Sequence, residues 1–335
     1  MRHSPLMGSD SDMRRTAAFV ASVALAVSAG ACAGALPGVL PVIGREPRET
    51  LPPPVFSTSD TTAMFAPGVI STGDVFASTF TPDGRTVYFT SATSDRTRMH
   101  IMQSTWNGSA WGAPTRASFS TGDREMDPHV SSDGKTVYFT APRRQGAVAT
   151  DADGDWDTWS AKLGGTEPAS RITSLANSAD NEMYPSITYD EALFFGVRSR
   201  ANPDAPGEIR YIHPKIRTTP VLVPMGPDVL NPSNPYITFD GRVLIVSASG
   251  AEGRGRADLY VLVRRGDGRW SAPRNLGREV NTTDVEFCPG LSPDGRYLFF
   301  SRVRYDESNR AIGNDIYVTP VSSLPVLRDA LAQQP

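Results

Sequence analysis

Two cysteines in 335 residues, Cys32 and Cys288, exclude a disulfide framework, and with no CxxC spacing they exclude a zinc site of that type. The four histidines, His3, His100, His129 and His213, form no HxH or HExxH pair. No GxSxG occurs either, so helical zinc-protease and nucleophile-elbow chemistries have no carrier. Lysine stands only at 135, 162 and 215; the other basic residues are arginine, a bias that reflects a GC-rich genome better than an arginine-specific function. A net charge of −3 provides neither a nucleic-acid surface nor a polyanion. The apolar stretch from Thr16 to about Ala31 falls short of the ~20 residues that a membrane span requires.

That stretch has another reading. Residues 13–32, "MRRTAAFVASVALAVSAGAC", run from a charged start through an apolar segment to small residues, the plan of a secretory signal. Arg14 and Arg15 fit an ordinary charged n-region. Two outcomes compete at its end: cleavage after Ala29-Gly30-Ala31, or lipidation of Cys32, since the same residues resemble a bacterial lipobox with Ala29 where that motif prefers Leu. Residues 1–31 are thus expected to be a signal. Residues 32–55, with six prolines after Cys32, are expected to be an extended tether.

The remainder is repetitive. "TPDGRTVYFT" (81–90), "SSDGKTVYFT" (131–140), "TYDEALFFGV" (188–197), "TFDGRVLIVS" (238–247) and "SPDGRYLFFS" (292–301) place a turn Asp at 83, 133, 190, 240 and 294. The intervals of 50, 57, 50 and 54 residues are those of a repeat array or a propeller. Asp-Gly gives a tight turn with a residue able to take positive φ. The strand after it is apolar on both faces and must be buried on both. A "DIY"-type strand signal follows each turn at 99–102, 157–161, 208–212, 258–262 and 315–319. A Pro-led strand signal stands at 66–70, 113–117, 167–172, 219–223 and 272–276. The pattern predicts an all-β, five-bladed propeller of four-stranded blades over residues 56–320. Its ring is closed by the N-terminal strand 66–70, which leaves no exposed sheet edges. Residues 321–335 form a C-terminal tail, and a sixth blade built from 51–72 is the alternative. The third repeat, with Asp190-Glu191 in place of Asp-Gly, predicts a longer or differently shaped turn.

The phrases "EMDPHVSSDGKTVYFTA" (125–141) and "EFCPGLSPDGRYLFFSR" (286–302), with "WGAP" (111–114) and "WSAPRNLG" (270–277), resemble TolB-like β-propeller repeats of bacterial envelope proteins. The resemblance covers most of residues 66–320. It implies an architecture more than an activity, because the fold hosts many functions.

Glu stands eight residues before the turn Asp in three repeats, as Glu125, Glu182 and Glu286. This position starts the inner strand, near the channel mouth. Three carboxylates there could bind a cation or a basic segment, or perform acid/base work at a suitable separation; the competing reading is a structural cap that recurs with the repeat. His129 and Tyr236, also on inner strands, complete the expected channel-mouth set. The turn aspartates read as structural, through local backbone hydrogen bonds. Asp151, Asp153 and Asp155 in "DADGDWD" have the alternating spacing of a calcium loop but depart from an EF-hand, so Ca2+ is the one cofactor considered. The expected function is a non-enzymatic, exported binding platform in the periplasm or on a membrane. Its partner is an envelope protein or cell-wall component, not nucleic acid, and it touches the membrane only through a lipid on Cys32. The alternative is a carbohydrate-active hydrolase using carboxylates at the channel mouth.

Overall fold

A computed structural model describes residues 60–142, 156–172, 176–213, 215–216, 219–250 and 252–333. The signal and tether segments, with Cys32, and the acidic loop holding Asp151, Asp153 and Asp155 lie outside the described residues.

Five four-stranded antiparallel sheets form the blades of a β-propeller. In the first blade the strands are Val75–Phe80, Thr86–Ala92, Met99–Thr105 and Thr115–Arg116, from the channel outward. The second has Met126–Val130, Thr136–Pro142, Trp156–Lys162 and Ser170–Arg171. The third has Asn181–Ile187, Leu193–Arg198, Glu208–Ile212 and Val221–Leu222, and the fourth Val229–Ile237, Val243–Gly250, Asp258–Val263 and Arg274–Asn275. The fifth is built from Val285–Leu291, Tyr297–Tyr305 and Ala311–Pro320, and its outer strand is Ala63–Met64 from the other end of the described chain.

The ring is therefore closed by an N-terminal strand, but not by residues 66–70. Ala63 pairs with Val318 and Met64 with Tyr317, and Phe65 N–H donates to the Ile316 carbonyl at 2.8 Å. Residues 66–70 instead fold into a turn. Pro67 has no N–H to give a ladder, and Gly68 adopts φ +77°, so the extended reading fails there. Ile70 N–H closes the turn on the Ala66 carbonyl at 2.9 Å. Phe65 is buried between the first and fifth blades, edge-on to Trp111 and Phe299 at 5.5 and 5.1 Å.

The apolar second strands explain the stacking of the blades. Val87 and Phe89 pack with Phe80, Phe299 and Val318 against the fifth blade. Tyr88, between them in sequence, points the other way and packs with Phe119 and Val137 against the second. Similar clusters lie between the other neighbouring blades. Each buried Phe or Leu contributes about 1.5–3 kcal/mol. The C-terminal tail is more structured than the sequence suggested: helix Pro325–Ala332 buries Leu327 and Ala330 against the fourth and fifth blades.

Each Asp-Gly turn is a small hydrogen-bonded unit. The turn Asp accepts from the hydroxyl two residues before it: Thr81 to Asp83 at 2.5 Å, Ser131 to Asp133 at 2.6 Å and Ser292 to Asp294 at 2.6 Å. It also accepts the N–H two residues after it, as from Arg242 to Asp240 at 3.1 Å. Glycines 84, 134, 241 and 295 sit at φ +68° to +71°. In the third repeat Glu191 takes that conformation at φ +70°, and the turn is one residue shorter, closing from Thr188 N–H to the Ala192 carbonyl. The altered shape expected from Asp190-Glu191 is thus a contraction.

Candidate functional site in the central channel

Every inner strand carries a bulge at one equivalent point, six residues before the turn Asp. Ala77, Asp127, Tyr184, Asn234 and Cys288 all adopt positive φ, between +47° and +60°, and the strand register shifts at each of them. Four are followed by proline: Pro128, Pro185, Pro235 and Pro289. A proline inside a strand offers no ladder donor and marks a bulge. The left-handed conformation costs an L-residue roughly 1–2 kcal/mol, and such positions persist where the surroundings hold them. Here neighbouring blades hold them: Asp127 N–H donates to Thr90 Oγ1, Tyr184 N–H to Thr140 Oγ1 and Ala77 N–H to Ser301 Oγ, each at 3.0 Å.

The bulged residues turn into the channel and line a cavity of about 440 Å³, counting its mouth. A polar chain crosses it. Ser233 Oγ donates to Asn234 Oδ1 at 2.9 Å, Asn234 Nδ2 to Cys288 Sγ at 3.1 Å, and the Cys288 thiol to Asp127 Oδ1 at 3.6 Å. Side chains from the fourth, fifth and second blades thus meet in the middle. Burial pushes the Asp127 carboxyl up to about 7, against the opposing pull of Cys288 and Thr140. Burial also pushes the His129 imidazole down to about 4 and raises the Tyr184 phenol and the Cys288 thiol. At neutral pH His129 is uncharged and the thiol is protonated.

His129 and Tyr236 both line this cavity. Their rings are 6.0 Å apart, His129 lies 5.9 Å from Phe239, and Phe239 lies 5.5 Å from Tyr189. This aromatic run climbs from the channel to the turn face, where Tyr189 is 43 % exposed. Tyr236 and Leu291 are shared with a second hollow of about 720 Å³ on that face, also bordered by Tyr189, Phe239, Arg242 and Leu331.

Glu125, Glu182 and Glu286 lie elsewhere. None lines the channel cavity, and all three are buried, with their carboxylates holding the loops that lead into their own inner strands. Glu125 accepts from Ser120 Oγ at 2.7 Å and Gly122 N–H at 2.9 Å. Glu182 accepts from Ser178, through both its hydroxyl and its N–H. Glu286 accepts from Thr282 Oγ1 at 2.6 Å and from Arg302 Nε at 2.7 Å; burial raises its carboxyl. Sequence reasoning missed Asp127 and Cys288 as channel residues, although the prolines after them mark the bulge that turns them inward. Among the described residues no group of three or more His, Cys, Asp or Glu side chains is placed to hold a metal ion. No described helix is long and apolar enough to cross a membrane.

No family model matches the chain, and no curated protein matches it. Solved structures do. TolB from Acinetobacter baumannii is 15 % identical with a TM-score of 0.44, over 74 % of this chain and 54 % of that one, so the chain spans about half of that protein. The α-L-arabinofuranosidase from Lactobacillus brevis is 14 % identical with a TM-score of 0.48, over 76 % and 92 %. The endo-arabinase from Bacteroides thetaiotaomicron is 14 % identical with a TM-score of 0.45, over 78 % and 97 %. At these identities the likeness is one of fold.

Proposed function

We propose that the protein is a non-enzymatic, exported propeller that binds a protein or cell-wall partner of the bacterial envelope on its turn face. The observation that carries this reading is the aromatic run from buried His129, flanked by Tyr236, through Phe239 to exposed Tyr189, ending in a hollow bordered by Arg242 and Leu331. Tyr and Arg are the residues that anchor interfaces, combining large contact area with a polar tip. The signal-like segment 13–32 and the proline-rich tether would place such a face outside the cytoplasm and at a distance from any lipid on Cys32.

The hydrolytic alternative finds less support. Glycoside hydrolysis ordinarily takes two carboxyl groups, about 5–9.5 Å apart, flanking the scissile bond. Among the described residues that line the channel cavity, Asp127 is the one carboxylate, while Glu125, Glu182 and Glu286 are engaged in their own loops.

The test is a photocrosslinking residue placed at 189 in the full-length chain, in its native host. A discrete adduct that re-forms with the purified partner, and is absent when the crosslinker sits at exposed Thr115 on the rim, supports the reading. Equal labelling from both positions overturns it.

A further inference from the structure

Three buried polar atoms on residues that line the channel cavity have no hydrogen-bond partner within the protein: Asp127 Oδ2, His129 Nε2 and Ser78 Oγ. Their residues are only 5, 6 and 9 % exposed. Leaving a buried polar group unpaired costs about 1–3 kcal/mol, so three on one wall call for an explanation. The wall also has a consistent chemical sign. His129 Nε2 is unpartnered, and in the Nδ1–H tautomer of the neutral ring it is a lone-pair acceptor. Asp127 Oδ2 is an acceptor when ionised, and a serine hydroxyl accepts as readily as it donates. Pro128, Pro185, Pro235 and Pro289 remove four backbone N–H groups from the same wall. Tyr184 and Tyr236 add aromatic faces.

We propose that the central channel binds a primary ammonium group, with Asp127 Oδ2, His129 Nε2 and Ser78 Oγ as its three acceptors. An ammonium group has three donors and no acceptor, the complement of this wall. Its charge compensates the Asp127 carboxylate, whose burial Cys288 and Thr140 offset only in part, and the tyrosine rings favour a cation. The ammonium can belong to a free amine or to the lysine side chain of a docked segment. The inference does not depend on what binds the turn face.

The test is calorimetric titration of the full chain, in detergent at neutral pH, with n-butylammonium chloride and with butan-1-ol, which has the same length and no charge. The site binds butylammonium at least tenfold more tightly than the alcohol. Asp127→Asn weakens the amine at least tenfold, a loss of about 1.4 kcal/mol. This variant is suited to the backbone, because Asn234 already occupies the equivalent bulge at φ +50°. His129→Phe, which keeps a ring but removes the acceptor, weakens the amine severalfold and serves as a second variant. A capped Gly-Lys-Gly peptide distinguishes the sources: Asp127-dependent binding of the peptide assigns the site to lysine side chains, and binding of butylammonium alone assigns it to free amines. Equal affinity for amine and alcohol, or an amine affinity unchanged in Asp127→Asn, overturns the proposal.

Discussion

Asp127 and His129 sit two residues apart, in one cavity, and burial moves their proton affinities in opposite senses. Folding carries Asp127 from the ordinary value of 3.8 to about 7, so across that interval the folded chain holds a proton that the unfolded chain has released. The stability owed to this group is full below about pH 4 and falls as pH rises through 7. His129 goes from 6.5 to about 4, so across that interval the unfolded chain holds the extra proton, and its contribution grows as pH rises. The two slopes oppose each other between about pH 4 and 6.5 and mask each other in the parent. Removing one exposes the other. Relative to the parent, Asp127→Asn should gain stability as pH is raised from 4 to 7, approaching ~1.4 kcal/mol per pH unit. His129→Gln should lose it over pH 4 to 6.5. Urea titrations at stepped pH measure both, and parallel curves for parent and Asp127→Asn would contradict the burial of this carboxyl.

The repeating element is the turn with the bulged strand before it. The Asp-Gly pair was plain in the sequence because glycine is the residue that takes φ near +70° without cost. The Ser or Thr two residues earlier, which completes the turn, was equally visible but has no meaning until the Asp it bonds is seen to be its partner. The fourth and third turns, with Gly241 and Glu191 at the equivalent position, test the chemistry. Gly241→Ala forces a Cβ into φ +71°, where its nearest outside neighbour, Thr188 Cγ2, is at an unobjectionable 3.5 Å. The cost is therefore conformational, about 1–2 kcal/mol. Glu191→Gly at φ +70° relieves the same strain and gives up only an exposed pair with Lys215, so it should be neutral or stabilising by up to ~1 kcal/mol. Thermal melts of the two variants should move in opposite directions or, for Glu191→Gly, not at all. The bulges were harder to read. The prolines at 128, 185, 235 and 289 signalled an interruption, but not that the residue before each would face the channel. Glu125, Glu182 and Glu286 recur for the loops they hold, a role that periodicity alone could not separate from a ring of binding groups.

At the scale of the molecule, blade number followed from counting one kind of phrase, because each apolar second strand needs a neighbour on both faces. The closing strand was misplaced by a few residues: "APGVI" looks like the other Pro-led outer strands, yet Pro67 and Gly68 turn the chain, and the two residues before Phe65 make the ladder. Phe65 then fills the seam between first and last blades. Phe65→Ala should cost about 3–5 kcal/mol by denaturant unfolding. It should also expose the edge of Ala311–Pro320 and increase self-association, whereas an unchanged midpoint would place the closure elsewhere. Partner chemistry was not legible at this scale, since the same ring serves many functions and the deciding groups lie in the channel and at its mouth. The most direct measurement of the central claim is the equilibrium affinity of the partner captured through position 189 for three chains: the parent, Tyr189→Ala and Glu182→Gln. Binding through the aromatic mouth predicts a loss of at least tenfold for Tyr189→Ala and a change within twofold for Glu182→Gln. Full affinity in Tyr189→Ala together with loss in Glu182→Gln would contradict it and return the site to the ring of glutamates.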